Sequence, residues 1–281
     1  MKKILLLALA AVMLTFAACQ QSDKKSTRKI TIGYVNWAEG VAMTHLAKVL
    51  LEQQGYTVAL KNADVAPIFA AVAGGDADVF MDTWMPVTHK TYMETFGDKV
   101  TVLNTNFDSA RIGLVVPDYV SARTIEDLAK QKPAFGGKVV GIDAGAGIMT
   151  KAEDAIRAYD LDYELQSSSE AAMMATLKKS IDEKMPIVVT GWAPHHMFAR
   201  FKLRFLEDPK MIFGDMEKIM TIANSEFTVK DTVAVNFFRK FKLNSEQLSS
   251  LMNVMADADG KEDAAVKQWI SEHEALVKEW M

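Results

Sequence analysis

Short apolar runs and helical periodicities take turns along most of this chain. KITIGYV reads as a strand, and residues 39–54 predict a helix, with Val41, Leu46, Val49 and Leu50 on one face and Gly55 as its stop. YTVALKNA predicts a second strand, residues 67–73 a short helix, DVFMDTW a third strand, and residues 86–96 a helix with Pro86 in its first turn. A βαβαβα order of this kind predicts an α/β unit around a mostly parallel sheet with right-handed crossovers.

The segment ARIGLVVPDYV, residues 110–120, is apolar and extended and ends near a proline, as expected of a chain crossing between two units. A helix follows from Thr124, with Asp127 three residues later in a capping-box pattern. A second alternating unit comes next: KVVGID as a strand, GAGIM as a glycine-rich turn, helices over 150–159 and 169–183, and PIVVTGW as a strand. ARFKLRFLEDP, residues 199–209, looks like the return crossing, and after Phe213 the pattern is almost wholly helical, with Ser245 as a cap and Gly260 as a break. The expected organisation is α/β and two-lobed: residues 29–113 plus 211–281 form lobe I, residues 114–210 form lobe II, and two sheets are joined by two hinge crossings. A cleft between such lobes suits closure around a small solute.

The first residues change the picture. Lys2 and Lys3 precede an apolar run from Ile4 to about Phe16, then Ala17, Ala18 and Cys19. This predicts an export leader over 1–18, too short for a comfortable membrane span. Cys19 is the only cysteine, so no intramolecular disulfide can form. Its position resembles a bacterial lipoprotein signal, in which the cysteine becomes the lipidated first residue, and residues 19–28 read as a polar tether. The remainder, with no second span, is expected to be soluble, anchored in the cell envelope by lipid alone. A net charge of −4 with interspersed signs argues against a nucleic-acid partner.

Candidate chemistry gathers at strand ends. Trp37, Trp84 and Trp192 each close a short apolar run just before helix-start residues, and in open α/β sheets the carboxyl edge of the strands is where ligands bind. Any one indole serves core packing equally well. Three in the same topological position favour an electron-rich box for a cation without hydrogen-bond donors, such as a quaternary ammonium. In GIDAGAGIM, backbone N–H groups around Gly147 and Ile148 sit at the start of a helix and could take an anion, a carboxylate rather than a triphosphate. Glycines in a tight turn also answer a purely steric need, and the segment alone does not separate the two readings. His89, near the start of a helix, could offer a neutral ring N–H to a ligand oxygen or simply pack, with Thr88 and Tyr92 placed to orient it. His195 and His196 are adjacent, so their rings should diverge, and no metal-binding motif accompanies them. No GxSxG elbow is present, and an Asp82–His89 pair would lack a nucleophile, so neither an enzyme nor a cofactor is expected.

Taken together, GYVNWAEGVAMT, DVFMDTWMPVTHK, GIDAGAGIM and PIVVTGWAPHHMFARF resemble substrate-binding proteins of bacterial ABC importers for glycine betaine, proline betaine and related osmolytes, the OpuAC-like group. The resemblance spans essentially the whole chain after the leader. It implies the type II periplasmic-binding-protein fold, an ammonium cage of Trp37, Trp84 and Trp192, and a carboxylate held by Gly147, Ile148 and His89. It also implies a membrane permease as partner and a monomeric receptor. His196 stands where several relatives have tryptophan, at the rim of the expected pocket. A choline or carnitine receptor of the same fold is the alternative.

Overall fold

The computed structural model describes residues 28–258 and 260–281. The leader, Cys19 and the tether up to residue 27 lie outside the described residues. The first half runs β1 (Lys29–Tyr34), α1 (Ala38–Gln53), β2 (Thr57–Asn62), α2 (Val65–Gly74), β3 (Val79–Met85), α3 (Lys90–Phe96) and β4 (Val100–Pro117). Then come α4 (Asp127–Gln131), β5 (Lys138–Val140), α5 (Gly147–Ala158), β6 (Glu164–Gln166), α6 (Glu170–Asp182), β7 (Val189–Ala193), α7 (Met197–Arg200), β8 (Leu203–Phe205) and β9 (Glu217–Asn224). Helices α8 (Phe227–Lys230), α9 (Thr232–Lys240), α10 (Ser245–Ala256), α11 (Glu262–Glu272) and α12 (Glu274–Trp280) complete the chain.

Among the described residues the strands form one continuous mixed sheet in the order β2-β1-β3-β9-β4-β7-β5-β6, with β8 added on β4. The expected two sheets are its two arms. Each arm is parallel, β2-β1-β3 on one side and β7-β5-β6 on the other. The middle is antiparallel, because β9 and β4 return between them. Strand β3 is buried along nearly its whole length, and β1 alternates more, in keeping with central and flanking positions in a covered sheet.

Two segments depart from the expected pattern. Residues after Phe213 are not almost wholly helical: EKIMTIAN forms β9, paired on both edges, with Ile219, Ile222 and Ala223 fully buried. The crossing expected at residues 110–120 is the end of an 18-residue strand, β4, that begins at Val100 and passes from one arm to the other. Its pairing with β9 shifts register between Val102 and Asn104, Thr105 and Phe107, and Phe107 and Ala110. These bulges let one strand bend and serve both arms.

Local chemistry otherwise follows the sequence. Thr124 and Asp127 exchange capping bonds, Asp127 N to Thr124 Oγ1 at 3.3 Å and Thr124 N to Asp127 Oδ2 at 3.0 Å. Asn244, not Ser245, caps α10, in a reciprocal pair with Gln247. Gly260 adopts φ +80° between α10 and α11. Trp269 and Trp280 are buried in the C-terminal helices, of which α10 and α11 cover α1 of the first arm. Their role is packing.

Candidate functional site

One small cavity between the arms is lined by Trp37, Glu39, Trp84, Thr88, His89, Ile112, Ile142, Ala146, Gly147, Ile148 and Trp192. All six residues singled out for ligand contact are in that set. Trp37 follows β1 and is the residue before the first turn of α1, Trp84 lies near the end of β3, and Trp192 near the end of β7. Each indole is at least 95% buried. Strand ends from both arms therefore bring three aromatic faces to one place, as the sheet-edge argument requires.

The indoles differ in how their ring N–H groups are used. Trp84 Nε1 donates to Asp82 Oδ1 at 2.8 Å, within one strand. Trp192 Nε1 donates to Glu39 Oε2 at 2.7 Å, which ties β7 of one arm to α1 of the other. Trp37 Nε1 is buried with no partner among the described residues. The two carboxylates beneath the indoles lie deep. Burial, followed by the charges of Asp82 and Glu170, raises the Glu39 carboxyl well above the ordinary carboxylate range. Burial also pushes Asp82 up to about 7, with Glu170 adding to it, against the opposing Trp84 hydrogen bond. Gly40 is needed here, since a Cβ at that position would run into the Asp82 carboxylate.

The same cavity is also lined by donors. Trp84 N donates to His89 Nδ1 at 3.0 Å, which places the ring proton on Nε2. That Nε2 is buried and has no partner among the described residues. Burial alone drives the imidazole pKa down to about 3, so the ring is neutral. The ring is neutral through burial and not through the expected helix dipole, and Pro86 does not lie in the first turn of a helix. Instead α3 starts at Lys90, and residues 86–89 form a turn whose Val87 and Thr88 N–H groups both donate to buried Glu217 at 2.9 Å. Asp82 and His89 share no hydrogen bond; each is engaged with a different atom of Trp84.

Gly147 and Ile148 open α5, which starts three residues earlier than expected. As the first two helical residues their N–H groups have no acceptor inside the helix and carry its positive end. A Cβ on Gly147 would collide with the Thr88 carbonyl, so glycine is what lets the two arms approach here. Nearby, Tyr92 Oη donates to Gly145 O at 2.8 Å across the same gap.

The neighbouring His195 and His196 do not diverge as expected. Their rings stack at 4.4 Å, and donor atoms of Glu170, His195 and His196 lie within 4.8 Å of one another. Both nitrogens of His195 are nevertheless in use: Nδ1 accepts from Met197 N at 2.9 Å, and Nε2 donates to Glu170 Oε1 at 3.0 Å. Of the residues that sequence reasoning left out of the site, Glu39 matters most. Its place two residues after Trp37 was visible, but nothing in the sequence shows that it meets Trp192.

Residues 28–272 match the family profile of the substrate-binding domain of ABC-type glycine betaine transport systems. A glycine betaine/carnitine transport binding protein of Listeria monocytogenes is 43% identical over 145 residues, which is 50% of this chain and 48% of that protein, so the match spans about half of its length. The crystal structure of a glycine betaine/L-proline-binding protein, ProX, of Borrelia burgdorferi superposes with a TM-score of 0.87 at 32% identity, covering 90% of this chain and 97% of that one. Lactococcal OpuAC, in a closed form complexed with glycine betaine, gives a TM-score of 0.84 at 33% identity, covering 90% and 99%. The α/β fold, with its curled mixed sheet, is that of these type II periplasmic binding proteins, and the chain belongs to the family of substrate-binding domains of ABC-type glycine betaine transport systems.

Proposed function

We propose that this chain is an extracytoplasmic receptor, anchored by a lipid on Cys19, that captures glycine betaine or a related quaternary ammonium zwitterion and delivers it to an ABC permease. The observation that carries this reading is the make-up of one cavity: Trp37, Trp84, Trp192 and the Glu39 carboxyl line it together with His89, whose buried Nε2–H has no partner among the described residues, and with Gly147 and Ile148 at the start of α5. A trimethylammonium group has no N–H to satisfy and gains from indole faces, about 2 kcal/mol or more when desolvated. A carboxylate answers a helix start and a neutral imidazole donor. Residues 29–113 with 211–281 and residues 114–210 act as the two lobes. Because each lobe holds part of the ligand, binding stabilises the closed form, which docks on the permease.

A second reading, a choline receptor, draws on the Glu39 carboxylate, which would face a ligand of net positive charge. It leaves His89 Nε2 and the α5 amides without an acceptor. Calorimetric titration of the purified protein with glycine betaine, proline betaine, carnitine and choline separates the readings. The expected order puts the betaines first and choline weakest; preferential choline binding overturns the zwitterion assignment, and no binding of any of the four overturns the whole proposal.

A further inference from the structure

Helix α1 begins without a cap of its own. Trp37 occupies the N-cap position and makes no side-chain cap bond, although the first N–H groups of any helix need acceptors. The acceptor for Ala38 N comes from 132 residues away: Glu170 Oε2, at 3.0 Å, from the first residue of α6 in the other arm. The other oxygen of Glu170 is fixed by His195 Nε2 at 3.0 Å, and His195 is itself oriented by the Met197 N–H. Glu170 and His195 are both buried. One carboxylate thus joins the positive ends of two helices that belong to opposite arms, a placement that favours negative charge from both sides.

From this geometry we infer that Glu170, held by His195, is a closure latch: it caps α1 in trans only when the arms are together, and so slows release of whatever the cavity holds. Glu170 does not line that cavity, so it acts as a positioning residue. The latch rests on the receptor reading for its purpose, but not for its detection. Opening the arms would leave Ala38 N–H to water and Glu170 with His195 alone. The bond therefore contributes to the closed state and to nothing in the folding of either arm.

Two variants test this from opposite sides. Glu170→Ala removes the acceptor. Ala38→Pro removes the donor at the first helical position, where proline suits a helix and where Trp37, already extended at φ −108° and ψ 142°, suits a following proline. Dyes on exposed Gln53 and Lys178 report the closed fraction by energy transfer in the full chain, with and without glycine betaine. Stopped-flow tryptophan fluorescence reports association and release. The expected result is a lower closed fraction in both variants, release faster by about tenfold, as for loss of a hydrogen bond to a charged group, unchanged association, and an unchanged ligand-free melting temperature in Ala38→Pro, whereas Glu170→Ala also strands the buried His195 Nε2–H and melts lower. The double variant should release no faster than either single one. A wild-type closed fraction in both variants overturns the latch, as does a fall in ligand-free melting temperature with the closed fraction unaltered. If the wild-type protein binds no betaine, the receptor reading fails, while the closed fractions without ligand still decide the latch.

Discussion

Two corners of the molecule are built alike and end up with different work. At the end of β3 the chain reads Trp84, one residue, Pro86 and, three residues on, His89; at the end of β7 it reads Trp192, one residue, Pro194 and, directly after it, His195. In both, a tryptophan leaves the strand near its carboxyl end, the X–Pro peptide is cis, and the histidine Nδ1 accepts a nearby backbone N–H, from Trp84 in one and Met197 in the other. Each histidine therefore carries its proton on Nε2. At the first corner, beside the cavity, that proton has no acceptor among the described residues; at the second it is taken by Glu170. The same local construction fixes a tautomer in each place, and the neighbour across the gap decides what the free N–H does.

Removing the aromatic wall at either corner should have the largest effect. Trp84→Ala and Trp192→Ala are each expected to weaken glycine betaine binding by tenfold or more, the affinity equivalent of about 1.4 kcal/mol, since a desolvated cation over an indole is worth about 2. Calorimetry returning unchanged affinity for both would break the pairing of the corners. The histidines should then part company. His89→Ala is expected to weaken betaine severalfold and leave choline untouched, because only the carboxylate needs the Nε2 donor. His195→Ala should speed release of every ligand alike. Identical ligand profiles for the two variants would mean that the corners do the same job.

The smallest expected effect is with pH. Glu39 and Asp82 hold protons in the ligand-free fold, Asp82 up to about 7, that an unfolded chain releases in the ordinary carboxylate range. The folded state therefore binds more protons across that window, so the stability of the ligand-free protein should fall as pH rises from about 4 through 7. A cation seated beside Glu39 favours the ionised forms, so betaine affinity should rise modestly between pH 5 and pH 8, with proton release on binding. Asp82→Asn should flatten the rise. His89, at about 3, stays neutral throughout and contributes nothing to the profile. Titrations in buffers of different ionisation enthalpy read the proton count directly.

The α/β alternation, most helices and the six residues grouped at the cavity were legible in the sequence, because strand runs, caps and strand-end tryptophans are local signals. Strand β9 was not. In EKIMTIAN an exposed Lys218 stands between buried Glu217 and Ile219, and the segment's strand identity comes from pairing with β3 and β4, whose paired residues lie more than a hundred positions earlier. The length of β4 was hidden in the same way, its first half being only partly buried. Glu39 and Glu170 could not be assigned at all from their surroundings in the chain. Their partners, Trp192 and Ala38, lie 153 and 132 residues away and meet them only through the fold.

Strand β4 is held at both ends. A ribbon hydrogen-bonded to β9 at one end and to β7 and β8 at the other acts as a leaf spring clamped in two vices. It cannot slide, because sliding would break both ladders at once, and twisting would open one edge of each. Flexing at the bulges between Val102 and Ala110 is the remaining freedom. Bending confined there would carry Trp192, the ladder partner of Ile112 in the same strand, toward Trp37 and Trp84, so the alignment of the three indoles depends on bulges that do not line the cavity.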